Sequence, residues 1–379
     1  MDFSFSEDQE LLRSEVRRFA EERIRPGVAE RDREHRFPLE IFKEMGEMGL
    51  LGMLVPEEYG GAGMDTLSYL LAMEEISRAD PAVAVTMSVT NSVCGWPIVR
   101  FGSEELKRRV LPSLASGETL GGFGLTEPGA GSDAGSLKTT ARRDGDFWVL
   151  NGQKAWITNA GFAGWFVVVV RTNPEAGKKG LSALVVPGDA PGFSVGPPEE
   201  KLGLKSSRTA QIFFADCRVP AANLLGEEGQ GLKIALSTLD HSRLGIGAQA
   251  VGIHQRALEL AVEYAKERVQ FGQPIAANQA IQFKLAQMAT DLAAARALTY
   301  AAALAEDTPR GGRLAAQAKV FASEAANRAC QEALQIHGGN GFHEDYEIAR
   351  LYRDVRVTTI YEGTSEMQRL VIARSLLGR

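Results

Sequence analysis

The segment TTIYEGTSEMQRL, residues 358 to 370, contains an acid, Glu362, between an aromatic residue and a glycine. Ser365 is followed three residues later by Gln368, a spacing that fits a capping box, and apolar residues then recur at helical intervals. This pattern predicts a helix that begins at Ser365. Glu362 therefore lies in the turn before a helix, where Gly363 lets another molecule approach the backbone. The carboxylate either faces such a molecule or only opposes the helix dipole, as acids near helix starts commonly do.

A second stretch, GAGSDA, has the glycine spacing of a dinucleotide-binding fingerprint at Gly129, Gly131 and Ala134. That fingerprint requires a strand before it and a helix after it, whereas the following SLKTTARRDGDFWVL predicts strands. Nicotinamide dinucleotide binding is therefore disfavoured. The backbone N–H groups of such a loop can still hold a phosphate, although an ordinary turn has the same composition.

The glycine-rich HGGNG at 337 to 341 is similar to the oxyanion loop of lipases, but the chain has no GxSxG motif to supply a nucleophile. We interpret it as a helix with a glycine-rich C-cap, narrow enough for a flat or phosphorylated ligand. The histidines show neither an HExxH motif nor a paired spacing with carboxylates. We predict no metal site.

Two further segments place polar side chains where a ligand could use them. In NGQKAWITNAG, Trp156 and Thr158 are two residues apart on a predicted strand and should share a face, which suits an aromatic ring system but equally suits sheet packing. In LDHSR, Asp240 and Arg243 have the i,i+3 spacing of an intrahelical ion pair. Arg268 in ERVQFG ends a helix and suits its dipole without any ligand.

Composition excludes several classes of protein. The chain is 44% apolar and 24% charged, and 42 basic against 48 acidic residues give a net charge of −6 with no basic block, so nucleic acid is not an expected partner. Cys94, Cys217 and Cys330 are far apart and are predicted to be core thiols in a reducing compartment. The longest apolar run, WFVVVV, is too short to span a bilayer, and the first ten residues carry acids where a targeting peptide would be basic. We expect a cytoplasmic protein without a membrane segment, or a processed matrix protein.

The periodicity of the chain changes twice and predicts three domains: helical over 1–118, β-rich over 119–225, and helical over 226–379. The first helix is predicted to begin after Ser6. Leu11, Leu12, Val16 and Phe19 should form its apolar face.

The middle region and the last region have their own signals. Asp144-Gly145 and Asn151-Gly152 are predicted hairpin turns in the middle region. In the last region, three long Ala- and Leu-rich segments are predicted to pack as a bundle.

In chain order, FSEDQELLR, LTEPGAGSD, NGQKAWITN, ERVQFG, QIHGGNGF and IYEGTSEMQ resemble motifs of the acyl-CoA dehydrogenase family, at compatible separations. The resemblance implies an α+β multidomain fold with an N-terminal helical domain, a middle β-barrel-like domain and a C-terminal four-helix bundle. It also implies a homotetramer, a dimer of dimers, with FAD held between domains.

The same resemblance implies roles for individual residues. Thr126 and Thr158 hydrogen-bond the polar edge of the isoalloxazine, and Trp156 covers it. Other FAD contacts implied in the middle domain are Phe123, Leu125, Gly131, Ser132 and Ile157. Residues that reach the FAD of a neighbouring subunit are Arg268, Phe271, Gln279, Gln335, Gly338 and Gly339, while Thr364 and Glu366 touch its adenosine part.

The reaction implied is removal of the α-proton of an acyl-CoA thioester by Glu362 while a hydride passes from the β-carbon to flavin N5, giving a trans-2-enoyl-CoA. Electrons then pass to electron-transferring flavoprotein. Burial should raise the pKa of Glu362 and make it a stronger base. The residues implied in substrate binding are Ser132, Asp240, Arg243, Tyr361 and Gly363.

The position of the acid narrows the subclass. Family members of the isovaleryl and long-chain types carry the base near the LDHSR segment, where this chain has no Glu, so the short-, medium- and short-branched-chain types fit better. Phe123 in place of a common Tyr, the untypical His241 and Ser242, and Val269-Gln270 in place of Lys-Thr leave the acyl length open. Two rival hypotheses are a flavin oxidase or monooxygenase of the same fold, and a non-catalytic helical scaffold.

Overall fold

The structure is a computed structural model and describes residues 5–378. Its first region is helical, as predicted, and a capping box starts the first helix: the Gln9 N–H donates to Ser6 Oγ at 3.2 Å, and the Ser6 N–H donates to Gln9 Oε1 at 3.1 Å. The helices are α1 Glu7–Phe19, α2 Val28–Glu34, α3 Leu39–Glu47, α4 Thr66–Ala79, α5 Pro81–Ser88, α6 Trp96–Phe101 and α7 Glu104–Ala115.

The predicted apolar face of α1 is wrong at one residue, Leu11. Val16 and Phe19 are buried, but Leu11 is 61% exposed. Helix α1 lies on α4 through its buried residues Val16 and Phe19 and through Arg13 and Arg17, which both bind the buried carboxylate of Glu75. This orientation leaves Leu11 on the outer side.

Helices α5 and α6 are joined by the π-helical segment Val89–Gly95 into one apolar helix, Pro81–Phe101. In the described part of the chain it is the stretch long and apolar enough to cross a membrane, and 89% of its most apolar window is buried inside the protein. It packs against β1 of the middle region and α8 of the last region, defined below. Sequence periodicity missed this helix because all of its sides are covered.

The middle region is an eight-stranded sheet with the order β6-β7-β3-β2-β4-β5-β8, and β1 pairs with β4 off this path. The strands are β1 Leu120–Gly124, β2 Thr140–Asp144, β3 Phe147–Thr158, β4 Ala163–Arg171, β5 Leu181–Pro187, β6 Phe193–Pro198, β7 Thr209–Pro220 and β8 Leu224–Leu225. Pairing is antiparallel except for β1 with β4 and the single pair between β2 and β4. Cys217 in β7 is buried, as are Cys94 and Cys330, which confirms the prediction of core thiols.

The two predicted hairpin turns have different outcomes. Asp144 pairs with Phe147, so Gly145 lies in a two-residue hairpin loop with φ of +58°, as predicted. Asn151-Gly152 is not a turn, because it lies inside β3 at an irregularity of its pairing with β7. Asn151 exchanges two hydrogen bonds with Asp216 of β7, of 3.0 and 2.9 Å, and this tertiary pairing overrides the local turn preference.

The last region contains three long helices, as predicted: α8 Gly231–Glu267, α9 Gln279–Leu304 and α10 Gly311–His337. The shorter α11 Glu347–Val355 and α12 Ser365–Leu376 follow, and a small hairpin of β9 Val269–Gln270 and β10 Gln273–Pro274 separates α8 from α9. Helix α10 contacts α8, α9, α11 and α12, and their shared core is rich in alanine. Small side chains let these helices approach closely.

Candidate active site

The loop between α11 and α12 holds Glu362 in an unusual backbone conformation. Its φ is +52°, in the left-handed region that residues with a Cβ rarely adopt, and Gly363 follows with φ of +92°. A Cβ on Gly363 would lie 2.7 Å from Nε2 of Gln368 and would displace that side chain, and the positive φ itself favours glycine. A strained non-glycine residue is typical of functional sites, where surrounding contacts maintain it.

The predicted capping box at Ser365 is wrong by one residue. Thr364 is the N-cap, and its Oγ1 accepts a hydrogen bond of 3.3 Å from the N–H of Met367. Gln368 is therefore the fourth residue of α12 and not the third. Its Nε2 donates to the carbonyl oxygens of Glu362 and Gly363, at 3.1 and 2.9 Å, and so holds the loop that carries the acid.

The Glu362 carboxyl group is withdrawn from solvent. Its Oε2 atom is buried and has no hydrogen-bond partner within residues 5–378. Burial raises the pKa of Glu362, as predicted, while a hydrogen bond from Ser242 and the positive charges of Lys319 and Arg243 oppose that rise. A carboxylate with a raised pKa and a free oxygen is suited to take a proton from a bound molecule.

The LDHSR segment of α8 forms one wall around this acid. Arg243 is buried and makes the predicted i,i+3 ion pair with Asp240, yet it also lies close enough to Glu362 for each charge to affect the pKa of the other. Asp240 faces a cavity of about 540 Å³ together with Lys178, Lys179 and Lys233. The segment thus links the acid to a positively charged cavity.

A second wall near the acid is apolar. Ala82, Val85, Val89 and Val93 from the Pro81–Phe101 helix form a buried cluster with Leu204. Phe123 of β1 and Tyr361 pack against the same cluster. The Tyr361 hydroxyl is hydrogen-bonded to Gln249 of α8, and burial raises the pKa of Tyr361 well above its usual range. This arrangement brings a residue expected to contact FAD and a residue expected to contact substrate onto one apolar surface.

A buried ion pair shapes the middle-domain part of the site. Lys154, which is completely buried, donates to Glu127 at 2.7 Å and to the Leu125 carbonyl at 3.2 Å. Glu127 also accepts from the N–H groups of Lys138 and Thr139, at 2.6 and 2.9 Å. These contacts fix the start of the GAGSDA loop against β3.

Trp156 lies at an irregularity of β3 with φ of +62°, and its side chain is 60% exposed. Thr126 and Thr158 are half-buried, whereas Ile157 between Trp156 and Thr158 is buried. Trp156 and Thr158 are therefore both accessible, and that they share one face stays a prediction. Gly131 and Ser132 are exposed in a loop that leads to β2 without an α-helix, in agreement with the rejection of a dinucleotide fingerprint.

The residues assigned by resemblance to the FAD of a neighbouring subunit lie at one exposed end of the helical bundle. Arg268 caps the C-terminus of α8, Gln279 begins α9, and Gly338 caps α10 with φ of +58°, as the predicted glycine-rich C-cap requires. Asn340 donates to the Tyr264 hydroxyl at 3.0 Å and joins the ends of α10 and α8. All members of this set are exposed: Arg268, Phe271, Gln279, Gln335, Gly338 and Gly339. Thr364 and Glu366 lie elsewhere, because Thr364 is the N-cap of α12 and Glu366 is in its first turn, directly after the Glu362 loop.

Three family models match successive parts of the chain. They describe the acyl-CoA dehydrogenase N-terminal domain over residues 6–118, the middle domain over 122–217 and the C-terminal domain over 229–377. The chain belongs to the acyl-CoA dehydrogenase family. It is an enzyme of this family of flavoprotein oxidoreductases, and the fold has the predicted order of helical, β and helical regions.

Similar proteins cover the chain from end to end. An acyl-CoA dehydrogenase of Bacillus subtilis is 51% identical over 98% of this chain and 99% of its own length. The structure of butyryl-CoA dehydrogenase from Megasphaera elsdenii has a TM-score of 0.97, 44% identity and full coverage of both chains. An acyl-CoA dehydrogenase from Bacillus anthracis, solved with FAD, has a TM-score of 0.94 and 40% identity over 99% of this chain and 69% of that chain.

The accessible groups of the middle domain fit a flavin. The exposed indole of Trp156 offers a flat apolar surface, and the hydroxyl groups of Thr126 and Thr158 are available beside it. No Cβ placed on Gly129 or Gly131 would touch another residue, so the loop backbone is open to a phosphate.

Sequence reasoning missed several residues that shape the site. Lys319 lies in the Ala-rich helix α10, Gln368 was assigned to a capping box, and Ser242 was noted only as untypical of the family. Each acts on the Glu362 loop from a distant part of the chain or through the backbone. The lysine was the one detectable signal, since a charged residue on the otherwise small and apolar stripe of α10 is unusual.

Proposed function

We propose that this chain is an FAD-dependent dehydrogenase that converts a short- to medium-chain acyl-CoA, straight or branched, to a trans-2-enoyl-CoA. The observation that supports this most is the buried Oε2 of Glu362, which has no hydrogen-bond partner among the described residues and lies in a strained loop beside an apolar wall. The LDHSR segment, near which isovaleryl- and long-chain-type members carry the base, has no Glu in this chain, so Glu362 is the carboxylate proposed for this role.

Each residue around Glu362 has a part in the proposed reaction. Burial raises the pKa of Glu362, which makes the ionised form a stronger base towards the weakly acidic α-proton. Backbone N–H groups of the Glu362 loop would polarise the thioester carbonyl, and Tyr361 and the valines of the Pro81–Phe101 helix would exclude water from the acyl chain. FAD, when bound, supplies the acceptor for the hydride that leaves the β-carbon.

The FAD would be held by two separate sets of residues. Phe123, Thr126, Trp156 and Thr158 would hold the ring system from the middle domain. The set at the exposed end of the bundle, with Arg268, would contact the FAD of a neighbouring subunit. This proposal makes dimerisation a condition for FAD binding, and the assembly we propose is a tetramer, a dimer of dimers. The proposed electron acceptor is electron-transferring flavoprotein.

The short-chain assignment rests on the butyryl-CoA dehydrogenase relative and on the position of the acid. Side chains at the end of the acyl pocket set chain length, and a difference of one methylene changes binding by only about 1–3 kcal/mol. Rates with butyryl-, isobutyryl-, octanoyl- and palmitoyl-CoA, measured with an artificial electron acceptor, test this part of the proposal.

Glu362→Gln tests the base assignment. We expect the variant to stay yellow and to bind acyl-CoA, but to lose about a thousandfold or more in kcat, because the amide cannot accept the proton. In the unmodified enzyme, kcat/KM should rise with pH as Glu362 ionises. The matched control is Glu10→Gln, an exposed position in α1, which should retain full rate.

Three outcomes would contradict the proposal. A normal dehydrogenation rate for Glu362→Gln would show that another group is the base. Rapid oxygen consumption by the reduced enzyme would favour an oxidase or monooxygenase. Colourless protein that takes up no FAD would favour the non-catalytic scaffold.

A further inference from the structure

Lys319 of α10 is completely buried, although lysine is among the residues least often found inside proteins. Its Nζ donates a hydrogen bond of 2.7 Å to the carbonyl oxygen of Gly363. The other completely buried lysine of the site, Lys154, instead pairs with the carboxylate of Glu127. Burying an ammonium group costs free energy. The contact of this ammonium group with the backbone carbonyl next to Glu362 therefore suggests a functional role for Lys319.

The contact fixes the part of the loop that determines where Glu362 points. The Gly363 carbonyl accepts from both Lys319 and Gln368, and the Glu362 carbonyl accepts from Gln368. Glu362 has a left-handed backbone that costs about 1–3 kcal/mol and persists only when surrounding contacts hold it. Lys319 and Gln368 are the side chains that make those contacts with the two carbonyl groups.

We propose that Lys319 is a positioning residue, which holds the Gly363 carbonyl and thereby fixes the strained backbone that directs the Glu362 carboxylate at the substrate. The inference rests on the proposed function. A second effect follows from charge, because the ammonium group favours the ionised form of Glu362. Lys319 therefore both orients the base and keeps it ionised at lower pH.

Other charged and titratable groups share this environment, and the test must separate them. Arg243 and His241 of α8 also lower the pKa of Glu362, and Tyr69 of α4 is affected by its charge. Burial lowers the pKa of Lys319 to about 8, while Glu362, Glu324 and Glu366 raise it and Arg243 lowers it further. Replacing only Lys319 leaves Arg243, His241 and Tyr69 in place, so a shift in the pH profile reports on Lys319.

The experiment is a double-mutant cycle on the FAD-loaded enzyme with Lys319→Met, Glu362→Gln and the double variant. Lys319→Arg keeps the charge, and Lys107→Met, a half-buried lysine of α7, is the control. Measured quantities are flavin absorbance, the Kd of crotonyl-CoA from the change in flavin absorbance, and kcat/KM with butyryl-CoA as a function of pH.

We expect Lys319→Met to keep FAD, to bind crotonyl-CoA within about threefold and to lose about a hundredfold in kcat, within the range of a general base. The acidic limb of its kcat/KM–pH profile should move to higher pH. Lys319→Arg should retain more activity than Lys319→Met, and Lys107→Met should match the unmodified enzyme. In the Glu362→Gln background the lysine substitution should have no further effect, because coupled residues are non-additive. If Lys319→Met does not hold FAD, Lys319→Gln, which keeps a donor without charge, replaces it in the cycle.

An unmoved acidic limb, or a loss that is fully additive with Glu362→Gln, would overturn the role of Lys319. The failure of the underlying function is distinguishable from this result. If Glu362→Gln itself keeps the normal rate, the base assignment falls. If Glu362→Gln is slow and only the coupling is absent, the inference alone falls.

Discussion

The chemistry of Glu362 depends on how a few neighbouring groups compensate for its burial. The carboxyl group is close to Lys319 and Arg243, but neither forms a direct ion pair with it within the described residues. Burial therefore prevails over these charges and raises the pKa of Glu362. At this scale the sequence predicted the acid itself, because its position before a helix and beside a glycine is visible locally. The sequence did not predict the role of Lys319, because this unusual lysine of the Ala-rich α10 becomes informative only once the fold shows its side chain buried beside Gly363.

The raised pKa of Glu362 predicts how its replacement changes stability. The unfolded chain loses this proton near its ordinary pKa of 4.5, whereas the folded protein holds it to higher pH, so stability falls as pH rises through this interval and stays reduced above it. We expect Glu362→Gln to melt at a higher temperature than the unmodified protein at about pH 8, with the difference vanishing at about pH 4. Thermal unfolding at both pH values measures this, and a lower melting temperature at the alkaline pH would contradict it.

The elements that carry the site were predicted with unequal success. The helix–sheet–helix order follows from hydrophobic periodicity and was correct. The predicted turn at Asn151-Gly152 was wrong because β7 pairs with β3 through that dipeptide. The predicted N-cap of α12 was wrong by one residue because Thr364 and Ser365 are both good N-cap types. Pro81–Phe101 was missed because a helix covered on all sides has no amphipathic period. Long-range packing decided the structure at Asn151-Gly152 and at Pro81–Phe101, whereas the error in the cap reflects a local ambiguity between two adjacent residues.

The corrected cap of α12 gives a prediction at the level of the element. Thr364→Ala should weaken the first turn of α12 by about 1 kcal/mol, because it removes the oxygen that accepts the Met367 N–H. Ser365→Ala is the matched control and should be nearly neutral, since its buried hydroxyl has no hydrogen-bond partner in the described chain. Hydrogen exchange of the α12 amides, followed by mass spectrometry, distinguishes the two. Faster exchange for Ser365→Ala than for Thr364→Ala would restore the original capping box.

At the scale of the whole molecule, the proposed FAD site combines residues of two chains, and those assigned to the neighbouring subunit lie at an exposed end of the bundle. The chain changes from helices to strands between α7 and β1, and back to helices between β8 and α8. The domain limits at 118 and 225 lie in or next to these two connections and stay a prediction. The exposed end of the bundle carries Phe271, Phe283 and Phe342 with exposed fractions of 100%, 64% and 87%. Large exposed apolar residues beside exposed polar residues, here Arg268 and Gln279, are typical of an interface. No local pattern in the sequence reveals such a surface, because it depends on which faces remain uncovered after folding.

This surface predicts that assembly and cofactor retention fail together. Phe283→Asp on α9 should shift the protein towards smaller species and lower its FAD content, because a charge in the centre of an apolar interface is left unpaired. Leu202→Asp, at an equally exposed residue of the middle region, serves as the control. Sedimentation velocity and flavin absorbance report the two quantities. Full FAD occupancy in monomeric Phe283→Asp would separate cofactor binding from assembly.

The apolar helix Pro81–Phe101 also constrains how the protein is made. Its first residue accepts a hydrogen bond from Gln249 of α8, which lies 168 residues later in the chain. At a synthesis rate of about 5–20 residues per second, this segment waits about ten to thirty seconds before that partner exists. Until then, this apolar segment of the nascent chain lacks the α8 residues that cover it in the folded protein. Complete burial of this helix therefore requires that α8 has already been synthesised.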